Sequence, residues 1–231
     1  MSSGGEGCAW ARPGDIIVPI GRSRGGITIK GRSDGEETKS RILEHATSLF
    51  AQKGYGAVSM NEVCTAAKVS KGSLYHHFPG KDELFLYVVE VDTQNWLNEW
   101  EELRSGISGT EARLYALGDH YAKDIQNPLI HALEEYGRSH TLSKEISERL
   151  SHIFESVTEA CRVLLQEGMD SGYLIRGDLD NYVITLSAML EGISRVHEIT
   201  GKTDTPETIR AYYRAGIQIL LQGIGSGKME Q

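Results

Sequence analysis

The stretch TKSRILEHATSLFAQKGYGAVSMNEVCTAAKVSKGSLYHHFPGKDEL, running from Thr38 to Leu84, decides the fold. In its first part Ile42, Leu43, Ala46, Leu49 and Phe50 recur at helical spacing and form one apolar stripe. Gly54 stops that helix, since glycine is the residue that most easily leaves the helical conformation at a C-terminus. Ser59-Met60-Asn61-Glu62 has the form of a capping box, in which the Ser59 oxygen accepts the Glu62 amide and Glu62 reaches back. The helix it opens is short, carries Val63, Ala66 and Ala67 inward, and yields at Lys68-Val69-Ser70. Ser70 caps a third helix through Leu74, Tyr75 and Phe78, which Pro79-Gly80 ends. Two short helices joined by a turn of three or four residues have the geometry of a helix-turn-helix, whose second helix fits the major groove of DNA.

Working outward, the periodicity after residue 84 predicts helix after helix. Asp82 to about Leu103 aligns Phe85, Val89, Trp96, Trp100 and Leu103, Thr110 offers a cap for the next helix, and Asn127-Pro128 supplies an N-cap with proline at the first helical position. A long helix follows Leu142 and ends at Gly168 to Gly172. Asp178 or Asp180 opens another, and Thr205-Pro206 opens the last. No strand alternation of useful length follows residue 35. The expected class is all-α: an N-terminal three-helix helix-turn-helix domain over 36–84, its motif at about 59–78, plus a larger helical ligand-binding and dimerisation domain over 85–231. Residues 1–35 hold nine of the 26 glycines and scattered arginines, and they read as a flexible tail. That tail is either a basic arm, with Arg22, Arg24, Lys30 and Arg32 along phosphates, or a stretch without a role.

The net charge of −8 speaks against nucleic acid until it is divided along the chain. Residues 1–35 carry +2, residues 36–84 carry 0 and the remainder −10, so the acidity lies in the C-terminal two-thirds. Cys8, Cys64 and Cys161 are odd in number and widely spaced, which excludes a disulfide framework and a zinc ribbon and fits a reducing cytoplasm. No apolar run approaches a membrane span, and a cytoplasmic location is expected. No nucleophile motif, phosphate loop or metal-ligand spacing is present, so neither catalytic residues, metal nor cofactor are expected.

The Thr38, Ile42, Ala46 and Phe50 frame, Gly54-Tyr55, Ala67 through Val69-Ser70, and Gly72-Ser73-Leu74-Tyr75-His76-His77-Phe78 with Lys81, Glu83 and Leu84 together resemble the DNA-binding domain of the TetR family. Lys68 stands where that family usually has glycine, Val58 where threonine is common, and Cys64 where an aliphatic residue is common. Ser59 and Ser70, at helix N-termini, are placed to let free amides take phosphates. Gly72 lets backbone approach the duplex, and Lys71, Ser73 and His76 are the side chains free to reach base edges. The resemblance implies that Tyr75, Thr38 and Lys81 contact phosphates. His77 reads as structural or solvated, and Lys39 and Lys53 as solvated surface charges.

The same resemblance implies a pocket in the helical body and a four-helix dimer interface from the last two long helices. Trp96, Trp100, Tyr121 and Tyr136 are the candidate ligand contacts, and the acidic groups Glu101, Glu102, Glu134 and Glu135 suit a cation. Leu186, Met189, Leu190, Ile193, Tyr213, Ile217 and Leu220 are the candidate dimer residues, with Gly192, Gly216 and Ala215 allowing close approach. The expected function is a transcriptional regulator, a repressor that binds a palindromic operator in double-stranded DNA as a homodimer and is released by a small-molecule inducer. The competing readings are a DNA-binding regulator without an inducer, acting structurally or through a protein partner, and a helical enzyme.

Overall fold

The computed structural model describes residues 34–125, 127–139, 143–200 and 204–225; the tail and its Arg22, Arg24, Lys30 and Arg32 lie outside the described residues. Among the described residues nine helices follow one another: α1 (Asp34–Ala57), α2 (Met60–Ala67), α3 (Lys71–His77), α4 (Lys81–Ser105), α5 (Thr110–Asp124), α6 (Pro128–Ser139), α7 (Lys144–Asp170), α8 (Leu179–Thr200) and α9 (Pro206–Ile224). No named strand occurs among the described residues, so the all-α class stands.

The local signals act as physics requires. The capping box is complete: the Glu62 amide donates to Ser59 Oγ at 3.3 Å, and the Ser59 amide donates to the Glu62 carboxylate at 3.0 Å. Ser70, Ser143 and Thr205 cap α3, α7 and α9 by the single side-chain acceptor bond, without a reciprocal partner, and Asp178 accepts the Asp180 and Asn181 amides at the head of α8. Asn127 Oδ1 accepts the Leu129 amide beside Pro128. At α5 the expected cap is displaced by one residue: Gly109, with φ of 87°, is the N-cap, and Thr110 is buried in the first turn, where its methyl packs close to Gly168. Gly54 breaks α1, yet the chain resumes one more turn to Ala57.

Two cores result. The first gathers Ile42, Ala46, Phe50, Val63, Leu74 and Phe85 from α1 to α4, but also Leu129, Ala132 and Tyr136 of α6 and Ile153 of α7. The second joins Trp100, Leu117, Leu164, Leu186, Leu190, Tyr213 and Ile217 of α4, α5, α7, α8 and α9. The core beneath the helix-turn-helix therefore crosses residue 84 and includes the sixth helix. Close packing of α5 on α9 uses Gly118, where an added Cβ would stand 3.3 Å from Ile217 Cγ1.

Candidate nucleic-acid interface and ligand cavity

The turn between α2 and α3 runs through Lys68, whose φ of 54° and ψ of 46° are left-handed. A side chain there costs roughly 1–2 kcal/mol relative to the right-handed helix, which explains the family's glycine. From α3, Lys71, Gly72, Tyr75 and His76 are exposed, with Ser73 partly so, while Leu74 is fully buried and anchors the helix. A Cβ on Gly72 would meet nothing in the protein nearer than Ser70 Oγ at 3.9 Å. Internal packing does not require this glycine.

The remaining predicted contacts differ in freedom. Thr38 is half-buried and donates to the Asp34 carbonyl at 2.8 Å. Lys81 does not stand free: its Nζ donates to the Tyr55 carbonyl at 3.0 Å and lies 4.1 Å from the centre of the Tyr55 ring. Lys39, expected in solvent, sits 4.1 Å above the Tyr87 ring, and Lys53 pairs with Glu62 at 2.8 Å. His77 is partly buried, its ring packed edge-on to His76.

In the helical body a cavity of about 120 Å³ lies among α4 to α9. Trp96 and Tyr121 line it. Trp100 and Tyr136 do not. Trp100 is 1% exposed within the second core, and Tyr136 is fully buried against Tyr55 and Phe85, with ring centres 4.7 and 5.2 Å away. Both are large apolar surfaces on the inward side of their helices, and their neighbours take them up completely. The anticipated acidic groups are also elsewhere: Glu101 pairs with Arg104, Glu134 with Arg138 and Arg195, and Glu135 holds the Gly56 amide.

The acids at the cavity are Asp92, Asp124 and Glu191, none of which was singled out from the sequence. Asn127 Nδ2 donates to Asp92 at 2.8 Å and to Asp124 at 3.2 Å, bringing two carboxylates to one amide. Burial raises the Asp92 and Asp124 carboxyls above their ordinary range, with the Asn127 bond offsetting part of the rise. Burial likewise raises Glu191, and the neighbouring Asp124 adds to it. None of the three has a Lys or Arg ion-pair partner among the described residues. Tyr213 belongs to the same lining, its hydroxyl buried beside Ser194. One signal was available: Asp92 and Trp96 are i and i+4 on α4 and so share a face.

Four of the candidate dimer residues, Leu186, Leu190, Tyr213 and Ile217, are wholly buried in the protomer's own core. Met189, Ile193 and Leu220 pack partly against it. The inward stripes of α8 and α9 are thus consumed by α5 and α7, and a different set stays in solvent: Ile184, Val196 and Ile199 on α8, Tyr212 and Ile219 on α9. Gly216 serves the internal α8–α9 contact, since a Cβ there would lie 2.9 Å from Met189 Sδ, whereas Gly192 faces open space.

Sequence comparison agrees with both halves. Residues 42–88 match the family model for bacterial regulatory proteins of the tetR family, and residues 92–226 match that for the QacR-like protein C-terminal region. The HTH-type transcriptional regulator QacR of Staphylococcus aureus (strain Mu50 / ATCC 700699) is 27% identical over 191 residues, 80% of this chain and 97% of that protein. Among solved structures, a TetR-family regulator from Mesorhizobium loti MAFF303099 has a TM-score of 0.71 at 22% identity, covering 84% of this chain and all of that one. A transcriptional regulator from Saccharomonospora viridis, in complex with choline, has a TM-score of 0.70 at 20% identity, covering 83% and 99%. The chain belongs to the TetR family of transcriptional regulators, with a DNA-binding helix-turn-helix and a QacR-like helical body. The relatives named are regulators and not enzymes. No helix among the described residues is long and apolar enough to cross a membrane.

Proposed function

We propose that this protein is a repressor that binds a palindromic operator as a homodimer and leaves it when a small organic cation occupies the cavity among α4 to α9. One observation carries the ligand response. Leu129, Ile130 and Leu133 of α6 line the cavity, while Ala132 and Tyr136 of the same helix are built into the core beneath the helix-turn-helix. Pockets for drug-sized molecules span roughly 300–1,000 Å³, so an occupant of that size must displace a wall of this one. Moving α6 moves the packing under the DNA-binding helices.

The charge of the inducer follows from the lining. Asp92 and Asp124, half-buried without a cationic partner, are costly to keep charged, and an organic cation beside them and the more exposed Glu191 would offset that cost. Trp96 and Tyr121, which line the cavity, supply the aromatic surface such an ion favours. The structural neighbour in complex with choline supports this reading. The exposed apolar residues of α8 and α9 support the dimer, because a contiguous apolar face marks an association surface.

The test begins with an operator recovered by selection from random DNA. Benzyltrimethylammonium and its neutral isostere neopentylbenzene are then compared for their effect on operator affinity and on thermal stability. The cation alone is expected to weaken operator binding and raise the melting temperature, and Asp92→Asn should blunt both effects. Equal action by the neutral isostere would remove the cation from the proposal. No response to any lipophilic, cationic or acyl compound would leave a regulator without an inducer.

A further inference from the structure

We propose that Glu135 is a positioning residue: from α6 its carboxylate caps the break in α1 and so holds the helix-turn-helix in its operator-binding orientation. The break is at Gly54, whose φ of 75° and ψ of 171° are essentially restricted to glycine. A helical turn restarted after a break leaves its first amides without an acceptor in its own helix. The Gly56 amide finds its acceptor 79 residues along the chain, donating to Glu135 Oε1 at 3.1 Å. Room for the carboxylate comes from two glycines. A Cβ at position 56 would stand 2.6 Å from Oε1, and one at position 54 would collide with Oε2.

Three consecutive residues of α6 thereby tie three parts of the molecule together. Glu134 pairs with Arg195 of α8 at 2.9 Å, Glu135 caps the α1 break, and Tyr136 stacks edge-on to Tyr55, which lies between the two glycines. A charged acceptor on a backbone amide makes a stronger bond than a neutral one. Through Tyr55 and Phe85 the same stretch of α6 is built into the core beneath the helix-turn-helix, so the cap bears on the seat of the DNA-binding helices. The inference rests on the part given above to α6, and not on the charge of any inducer.

Glu135→Ala, Glu135→Gln, Gly56→Ala and the Glu135→Ala/Gly56→Ala pair, all in the full chain, test it by operator affinity and by hydrogen exchange at the Gly56 amide. Glu135→Ala should weaken operator binding about tenfold, the loss expected for one charged hydrogen bond. Exchange at Gly56 should speed up by at least about tenfold while α2 and α3 amides stay protected. Glu135→Gln, whose carbonyl still accepts, should keep affinity near wild type. The paired variant should be no worse than Glu135→Ala alone, since both changes remove one contact. Wild-type operator affinity in Glu135→Ala, or unchanged exchange at Gly56, overturns the proposal. If Glu135→Ala unfolds α2 and α3, Gly56→Ala decides, and normal operator binding by that variant overturns it as well. No inducer enters these measurements, so they stand apart from a failure of the cation reading.

Discussion

Lys68 sits in a left-handed conformation that glycine takes without strain. Lys68→Gly should therefore raise stability by about 1 kcal/mol, read as a melting-temperature gain of roughly 2–4 °C for a chain of this size. A drop would mean that the lysine side chain makes a stabilising contact. Gly72 poses the opposite case. Its neighbourhood inside the protein is open, so Gly72→Ala should leave the fold as stable or more so, by up to about 1 kcal/mol of helix propensity, while weakening operator binding through a methyl placed against the duplex. Unchanged affinity in that variant would remove Gly72 from the interface. The exposed Lys71 and His76 should alter base preference when replaced by Ala, whereas Tyr75→Ala should weaken all sequences alike, as selection from random DNA would reveal.

At the scale of the element, caps and breaks explain the helix borders, but ion pairs decide how helices seat. Asp119 of α5 accepts from Arg210 at 2.5 Å and from Arg214 at 2.7 and 2.9 Å, both on α9. Burial alone would raise this carboxyl, but the two guanidinium groups outweigh it and hold it at about 2. A folded pKa below the unfolded one means that the group stabilises the protein above the ordinary carboxylate range. That contribution is lost as pH falls through the folded value. Asp119→Asn should accordingly lower the melting temperature at pH 7, and the gap from wild type should close as the pH approaches about 2. Asp92, Asp124 and Glu191 have the reverse sign. Their raised carboxyls favour the fold when protonated, and that contribution is lost as pH rises through the folded values. Affinity for a cation should tighten over that same rise, which calorimetric titration with benzyltrimethylammonium across pH can follow.

For the whole molecule, the assignment of faces on α8 and α9 has the largest consequence. Ile184, Ala188, Gly192 and Val196 follow one another four residues apart on α8, and Tyr212, Ala215 and Ile219 line up on α9, so one outward surface spans both helices. Ile219, 70% exposed, can take a charge without disturbing the protomer. Ile219→Glu should yield a folded monomer by sedimentation, with operator affinity far below wild type because half-sites about 34–36 Å apart need two linked binding heads. The same change at Leu190, fully buried, should unfold the chain. If Ile219→Glu stays dimeric, this surface is not the interface.

The amino-acid sequence by itself determined what depends on neighbours a few residues away: the all-α class, the Ser59, Ser70 and Thr205 caps, the break at Gly54, and the helix-turn-helix with its family. These signals are local because a cap or an apolar stripe is complete within one or two turns. Tertiary structure alone decided which stripe of α8 and α9 turns inward, why Trp96 and Tyr121 meet the cavity while Trp100 and Tyr136 vanish into core, and which acids meet there. Burial is set by partners from distant helices. Asp92 reaches Asn127 across 35 residues and Glu135 reaches Gly56 across 79, and no local pattern records such meetings.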